Sequence, residues 1–158
     1  METAHETRIK ECLETMLEHL QVAVTDITSE ADTKLNTTRF VIASPDSALL
    51  IGERGARLFS LNYLLKKIIE KEFPDARISF TVDVNDYQKK QVDDLRAKAH
   101  MLAERARYFK SSVEMDPMSS YERLIIHAEF TDIPDIKTES TGGGKDRRVV
   151  IKYVDVLE

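Results

Sequence analysis

Two glycines three residues apart, Gly52 and Gly55, interrupt the chain between two apolar patterns of helical spacing. A glycine inside a helix costs about 1 kcal/mol relative to alanine, so a pair of them ends one helix before the next begins. Two reasons for the pair remain open: the chain simply turns here, or something must come very close to its backbone. The five residues from Ile51 to Gly55 are therefore a candidate functional loop as well as a corner.

The segments on both sides of this break predict the element order α-β-β-α-α-β up to Asn85. Helical spacing predicts helices over residues 3–20 and 56–71, and a short helix ends near Leu50. Strand patterns cover residues 22–28, 37–44 and 77–84, with a polar turn predicted at 29–32. The predicted buried face of the first helix consists of Ile9, Leu13, Met16 and Leu20.

The rest of the chain predicts the order α-β-α-β-β. A long helix over 86–110 precedes a short strand at 113–116, a helix from about Ser120 to Phe130, and strands at 136–140 and 147–154. Ser119 and Glu122 have the spacing of a capping box. The sequence thus predicts an α+β protein with two domains, 1–85 and 86–158.

Composition places the chain among globular proteins and excludes several other classes of protein. Of its 158 residues 42% are hydrophobic, and the net charge is −5. There are ten basic and fourteen acidic residues up to Asn85, and thirteen basic and fourteen acidic after it, so any nucleic-acid site must be a local patch. The lone Cys12 excludes an intrachain disulfide, and no apolar run is long enough to span a membrane. We expect a cytoplasmic protein without membrane insertion.

A helix, a G-x-x-G loop and a second helix, flanked by strands, have a use in binding. The first N–H groups of the second helix lack helical partners and carry positive partial charge, and glycines let a sugar-phosphate backbone approach them. The order and the loop resemble a type II KH domain, a clamp for about four nucleotides of a single strand. The resemblance implies a contact set that combines one acidic residue with two basic ones: Ile51, Gly52, Glu53, Arg54, Gly55 and Arg57.

A second candidate site lies on the helix from Ser120. Arg123 and His127 are four residues apart and share a helix face. From this spacing alone, a solvated arginine and a histidine that is either on the surface or half-buried are the favoured interpretation. The later hairpin, however, carries Lys145, Arg147 and Arg148, and if it packs near the helix these groups would surround one phosphate.

The segment Tyr121-Glu122-Arg123, followed by His127, a T-x-S-x-G stretch at 138–142 and then Arg147, resembles the R-three-H (RxxxH) domain, a family implicated in binding single-stranded nucleic acid. A KH domain followed by an R-three-H domain is similar to the bacterial Jag family (KhpB/EloR type). The resemblance implies an RNA-binding post-transcriptional regulator linked to cell elongation or division, with a small KH-domain protein as a partner. Many members also carry an N-terminal Jag module, and this chain is expected to begin at the KH domain.

The sequence predicts binding of single-stranded RNA, with single-stranded DNA less favoured, and no catalysis. It contains no phosphate-binding loop, dinucleotide fingerprint, nucleophile elbow or zinc-protease motif. His5, His19 and His100 lack partners at metal-ligand spacing, so neither a metal nor a cofactor is expected. The alternative is a protein–protein adaptor with vestigial nucleic-acid affinity, which the acidic balance and Glu53 favour.

Overall fold

The computed structural model describes residues 3–156 and confirms a mixed α+β protein. The chain divides into two compact units between Gln88 and Lys89, three residues after the predicted domain boundary. The division lies inside helix α4, which begins at Tyr87. None of the helices in the described range combines the length and apolar character that a membrane span requires.

The first unit has the order α-β-β-α-α-β. Its elements are α1 (Ala4–His19), β1 (Asp26–Asp32), β2 (Thr37–Ala43), α2 (Ser47–Ile51), a 3-10 turn (Glu53–Gly55), α3 (Ala56–Glu72) and β3 (Phe80–Val84). The sheet order is β1-β2-β3, with β1 antiparallel and β3 parallel to the central strand. The helices bury their apolar faces against one face of this sheet, around Phe40, Ile42 and Val82.

Helix α1 buries a slightly different face from the one predicted. Ile9 and Leu13 are buried as expected, and Leu17 completes the row at a spacing of four. Leu20 is 56% exposed, because the helix ends at His19 and Leu20 is its C-cap. Thr3 and Glu6 form a capping box that fixes the start of this helix.

Strand β1 is shifted relative to its prediction. Residues 29–32, predicted as a turn, are paired with β2 in a register from Asp26 opposite Ala43 to Asp32 opposite Thr37. Ile27 is the one buried residue of β1, so backbone pairing and not an apolar pattern defines the strand. The turn falls after Asp32, whose carboxylate accepts hydrogen bonds from the backbone N–H groups of Lys34 and Leu35.

A buried asparagine ties α3 to β3. The Asn62 side-chain amide donates to the carbonyl of Val82 at 2.8 Å and accepts from its N–H at 2.7 Å. Among residues 3–156, strand β3 has one strand neighbour, so Asn62 satisfies backbone groups that no second strand of this range pairs. This fixes α3, the helix that follows the glycine loop, against the sheet.

The second unit packs two helices on a three-stranded sheet. Its elements are α4 (Tyr87–Phe109), β4 (Ser112–Glu114), α5 (Ser120–Phe130), β5 (Ile136–Thr141), a 3-10 turn (Gly144–Asp146) and β6 (Arg148–Tyr153). The strands are antiparallel in the order β4-β6-β5. Ala99, Ala103 and Ala106 are fully buried, so α4 meets this core through small side chains, while Phe109 at the end of the helix is 64% exposed.

Candidate nucleic-acid interface

The backbone of the glycine loop adopts conformations that require its two glycines. Gly52 has φ 71° and ψ −173°, a combination available almost only to glycine, and Gly55 is left-handed with φ 79°. A Cβ on Gly52 would lie 2.6 Å from Cγ of Arg57, and one on Gly55 would lie 3.2 Å from a ring carbon of Tyr87. Both glycines are therefore required by the chain's own geometry.

The loop presents an uncapped helix end. Helix α3 has no side-chain cap and no acidic residue in its first turn, in contrast to the capping boxes of α1 and α5. Its first backbone N–H groups carry the positive end of the helix dipole. Glu53 and Arg54 beside it are exposed, and Ile51 is half-buried.

Arg57 is engaged within the protein. Its guanidinium donates to the carbonyl of Leu49 at 3.1 Å, near the end of α2, while the side chain stays exposed. Arg54, in the left-handed conformation with φ 52°, forms none of the ion pairs found among residues 3–156. Of the two predicted cations of the loop, Arg54 is the one whose charge is not committed elsewhere.

In the second unit, His127 bridges two hydroxyl groups of β5. Its Nδ1 lies 2.7 Å from Oγ1 of Thr138, and its Nε2 lies 2.9 Å from Oγ of Ser140. These two hydroxyls project from the same strand face, which also carries Ile136. Both ring nitrogens are thus occupied, so His127 holds α5 against β5 and has no vacant nitrogen for a ligand.

Arg123 lies one helical turn before His127. Its Nε is buried without a hydrogen-bond partner, and no carboxylate in the described part of the chain forms an ion pair with this guanidinium. A buried N–H without an acceptor costs about 1–3 kcal/mol. An anion bound at Arg123 would supply the missing acceptor.

The hairpin brings one predicted cation to α5 and turns another away. The N–H of Met118, next to the cap of α5, donates to the carbonyl of Arg147 at 3.1 Å, and the Arg147 guanidinium donates to the carbonyl of Gly142 at 2.8 Å. Arg148 lies on the opposite sheet face, where its guanidinium is 3.5 Å from a carboxylate oxygen of Glu114. Arg123, His127 and Arg147 therefore share one side of this unit.

Lys145 occupies the exposed hairpin tip, in the 3-10 turn. The four cations predicted around one phosphate are thus not all on one surface, since Arg148 is separated from the others by the sheet. Within the residues described, no group of three or more His, Cys, Asp or Glu is placed to hold a metal ion.

Three residues of these sites were not predicted as contact residues, although two of them, Thr138 and Ser140, lie in the T-x-S-x-G stretch. Thr138 and Ser140 had a signal, because the alternation of β5 places both on the face that carries buried Ile136. Tyr87 had none, because its ring reaches Gly55 through tertiary packing between residues 32 positions apart.

Burial, and then the positive charge of Arg123, lower the pKa of His127 below its ordinary value of about 6.5. The unfolded chain therefore binds this proton more tightly than the folded chain, and His127 lowers stability as the pH falls through about 6.5. We expect an NMR titration of the ring to give a pKa below that of a model peptide. Arg123→Gln should raise it. An unchanged value in that variant would contradict an electrostatic contact between the two side chains.

Comparisons with known proteins find a domain match in the second unit and relatives that are similar over most of the chain. The R-three-H domain family matches residues 93–153. RNA-binding protein KhpB of Clostridium symbiosum is 32% identical over 141 residues, which cover 89% of this chain and 63% of that protein. RNA-binding protein KhpB of Bacillus subtilis (strain 168) is 35% identical over 130 residues, covering 81% of this chain and 61% of that protein.

The second unit thus contains an R-three-H domain. These similarities support a protein of the KhpB/Jag type, and the chain spans somewhat less than two thirds of the length of these two relatives.

Proposed function

We propose that the chain binds single-stranded RNA, without catalysis, through the loop of the first unit and the Arg123 surface of the second. The first unit is proposed as a type II KH domain, spanning about residues 1–85, and the R-three-H domain follows it. The α-β-β-α-α-β order, with the glycine loop between its second and third helices, supports this assignment.

The uncapped start of α3 is the observation that carries the proposal. Two glycines at positive φ bring the backbone to the surface there, next to an exposed arginine. A phosphodiester placed at this end would receive N–H hydrogen bonds and meet the helix dipole. Bases would then lie against apolar groups such as Ile51, as in a clamp for about four nucleotides.

The second site adds contacts to the same strand. Arg123 without a carboxylate partner, Arg147 beside α5 and the exposed Lys145 are proposed to bind phosphate, with Arg148 reaching phosphates along the other face. Both relatives described above are named RNA-binding proteins. Two weak sites on one strand raise the affinity through effective concentration.

Fluorescence anisotropy with a labelled eight-nucleotide RNA tests the function. We expect binding that weakens as NaCl rises from 50 to 200 mM, because each neutralised phosphate releases counterions. Single-stranded DNA of the same sequence measures the RNA preference. Absence of binding at 50 mM NaCl would contradict the proposal.

An adaptor function is the second candidate, favoured by an apolar groove of about 840 Å³ in the first unit. Helices α1, α2 and α3 line it, and Leu49 and Leu64 are each more than half exposed there. Exposed apolar surface of this kind is typical of protein contacts. A small KH-domain protein is the proposed partner, and a stable complex in sedimentation, together with absent RNA binding, would favour this candidate.

By the family resemblance, the proposed cellular role is cytoplasmic post-transcriptional regulation linked to cell elongation or division. Cell length in a deletion strain, complemented by wild type but not by a variant deficient in RNA binding, measures this role. Complementation by that variant would contradict a role through RNA.

A further inference from the structure

In the bridge between α5 and β5, the His127 ring lies between the hydroxyl groups of Thr138 and Ser140. The hydrogen atoms of these three groups limit which of them can donate. A neutral imidazole has one N–H donor and one acceptor nitrogen, whereas each hydroxyl donates once and accepts. Thr138 and Ser140 occupy the two ring nitrogens at 2.7 and 2.9 Å. One hydroxyl must therefore give its hydrogen to the ring, and the other accepts the ring N–H and retains its own hydrogen for another acceptor.

The positions of the two hydroxyls decide which one retains its hydrogen for a ligand. Thr138 lies opposite fully buried Ile151, in the middle of the strand pair. Ser140 is one residue from the end of β5 and two before Gly142, whose carbonyl holds the Arg147 guanidinium. Ser140 is thus the hydroxyl next to the cationic end of the site.

We propose that Ser140 is an RNA-contacting residue, and that His127 is a positioning residue that turns the serine hydroxyl hydrogen toward a phosphate oxygen. Thr138 donates to Nδ1, the Nε2–H group donates to Ser140, and the serine O–H remains available. Between residues 3 and 156, the Ser140 hydroxyl has no hydrogen-bond partner other than this ring. This inference rests on the proposed RNA binding by the second unit.

The arrangement explains why a histidine occupies this position without presenting a nitrogen to solvent. Its ring fixes the rotation of a hydroxyl, which would otherwise turn freely and lose entropy on binding. Arg123, one turn earlier on α5, supplies the charge, and Ser140 supplies a directed hydrogen bond. A phosphate oxygen thereby gains a neutral donor beside a cationic one.

Anisotropy with the eight-nucleotide RNA and the full chain tests the inference in three variants. Ser140→Ala is expected to weaken binding about tenfold, the loss of one hydrogen bond to a charged acceptor. Ser112→Ala removes an exposed serine hydroxyl from β4, outside the bridge, and should stay within about threefold of wild type. Arg123→Gln reports whether the second unit binds RNA at all.

The outcomes separate the inference from the function. If Ser140→Ala binds within twofold of wild type while Arg123→Gln is weakened, or if Ser112→Ala is weakened as much as Ser140→Ala, the inference is overturned and the function stands. If neither Arg123→Gln nor Ser140→Ala weakens binding, RNA binding by the second unit fails, and the inference with it.

The tautomer of His127 provides a test that needs no substitution. Long-range ¹H–¹⁵N correlation spectra of the wild-type protein at pH 8 distinguish a protonated Nε2 from a protonated Nδ1. We expect the Nε2–H tautomer. The Nδ1–H tautomer would overturn the assignment, because Ser140 would then give its hydrogen to the ring.

Discussion

Replacing Glu53 and Arg54 together with aspartate is expected to weaken RNA binding at least about tenfold and to leave the free energy of unfolding nearly unchanged. The double variant keeps a carboxylate at position 53 and replaces the Arg54 cation with a second carboxylate, so two negative charges lie at the start of α3, where the proposal puts a phosphate. Loss of one charge-assisted hydrogen bond alone corresponds to about tenfold in affinity. Anisotropy with the eight-nucleotide RNA at 50 mM NaCl measures the change.

The fold should tolerate this change for reasons visible in the loop. Both side chains are exposed, and both glycines stay in place. Arg54 has φ 52°, and aspartate enters the left-handed region more readily than most residues, so no backbone strain is added. Urea unfolding of the variant beside wild type checks that lost affinity is not lost structure.

A matched control separates local contact from net charge. Lys66→Asp changes the net charge by the same −2 at an exposed position of α3, away from the loop, and should weaken binding far less. Glu53→Lys should act in the opposite direction and tighten binding. If the double variant and Lys66→Asp bind equally, the loop is not a phosphate site.

Local rules account for the parts of the fold that the sequence predicted well. The Ser119–Glu122 capping box and the break at the two glycines depend on residues within one turn of each other, and the structure contains both. The order of the elements follows from the same short-range patterns. None of these features requires knowing what a residue meets across the fold.

The errors share a different cause, which is pairing between distant segments. Strand β1 was misplaced because its partner strand, and not its own polar sequence, defines its ends. The alternation along residues 77–84 puts Asp83 on the strand face opposite Val82 and Val84, where a polar side chain is expected to be exposed, yet the Asp83 side chain is 1% exposed. The Thr138 and Ser140 contacts with His127 likewise depend on how α5 packs over β5.

The buried carboxylate of Asp83 is paired with a cation from the central strand, β2. The Arg39 guanidinium lies 2.9 Å from one Asp83 oxygen and also binds Glu30 and Asp86. The other Asp83 oxygen accepts from the backbone N–H groups of Val84, at 2.7 Å, and Gln88, at 2.9 Å. One carboxylate thus joins the end of β3 to the first turn of α4, which also carries the tyrosine against the glycine loop.

Arg39→Met is therefore expected to lower the free energy of unfolding by about 3–5 kcal/mol, the range for removing one partner of a buried ion pair. The methionine retains much of the side-chain volume, so the loss arises from leaving the Asp83 charge without its cation. Urea unfolding followed by circular dichroism at pH 7 measures it. Arg8→Met, the same substitution in an exposed ion pair of the same unit, is the control and should cost much less.

A double variant tests the cause of that loss. Asp83→Asn removes the charge and retains the oxygen that accepts from Val84 and Gln88, so Arg39→Met/Asp83→Asn should be more stable than Arg39→Met alone. If Arg39→Met costs no more than Arg8→Met, or if the second substitution destabilises further, this ion pair does not hold the start of α4.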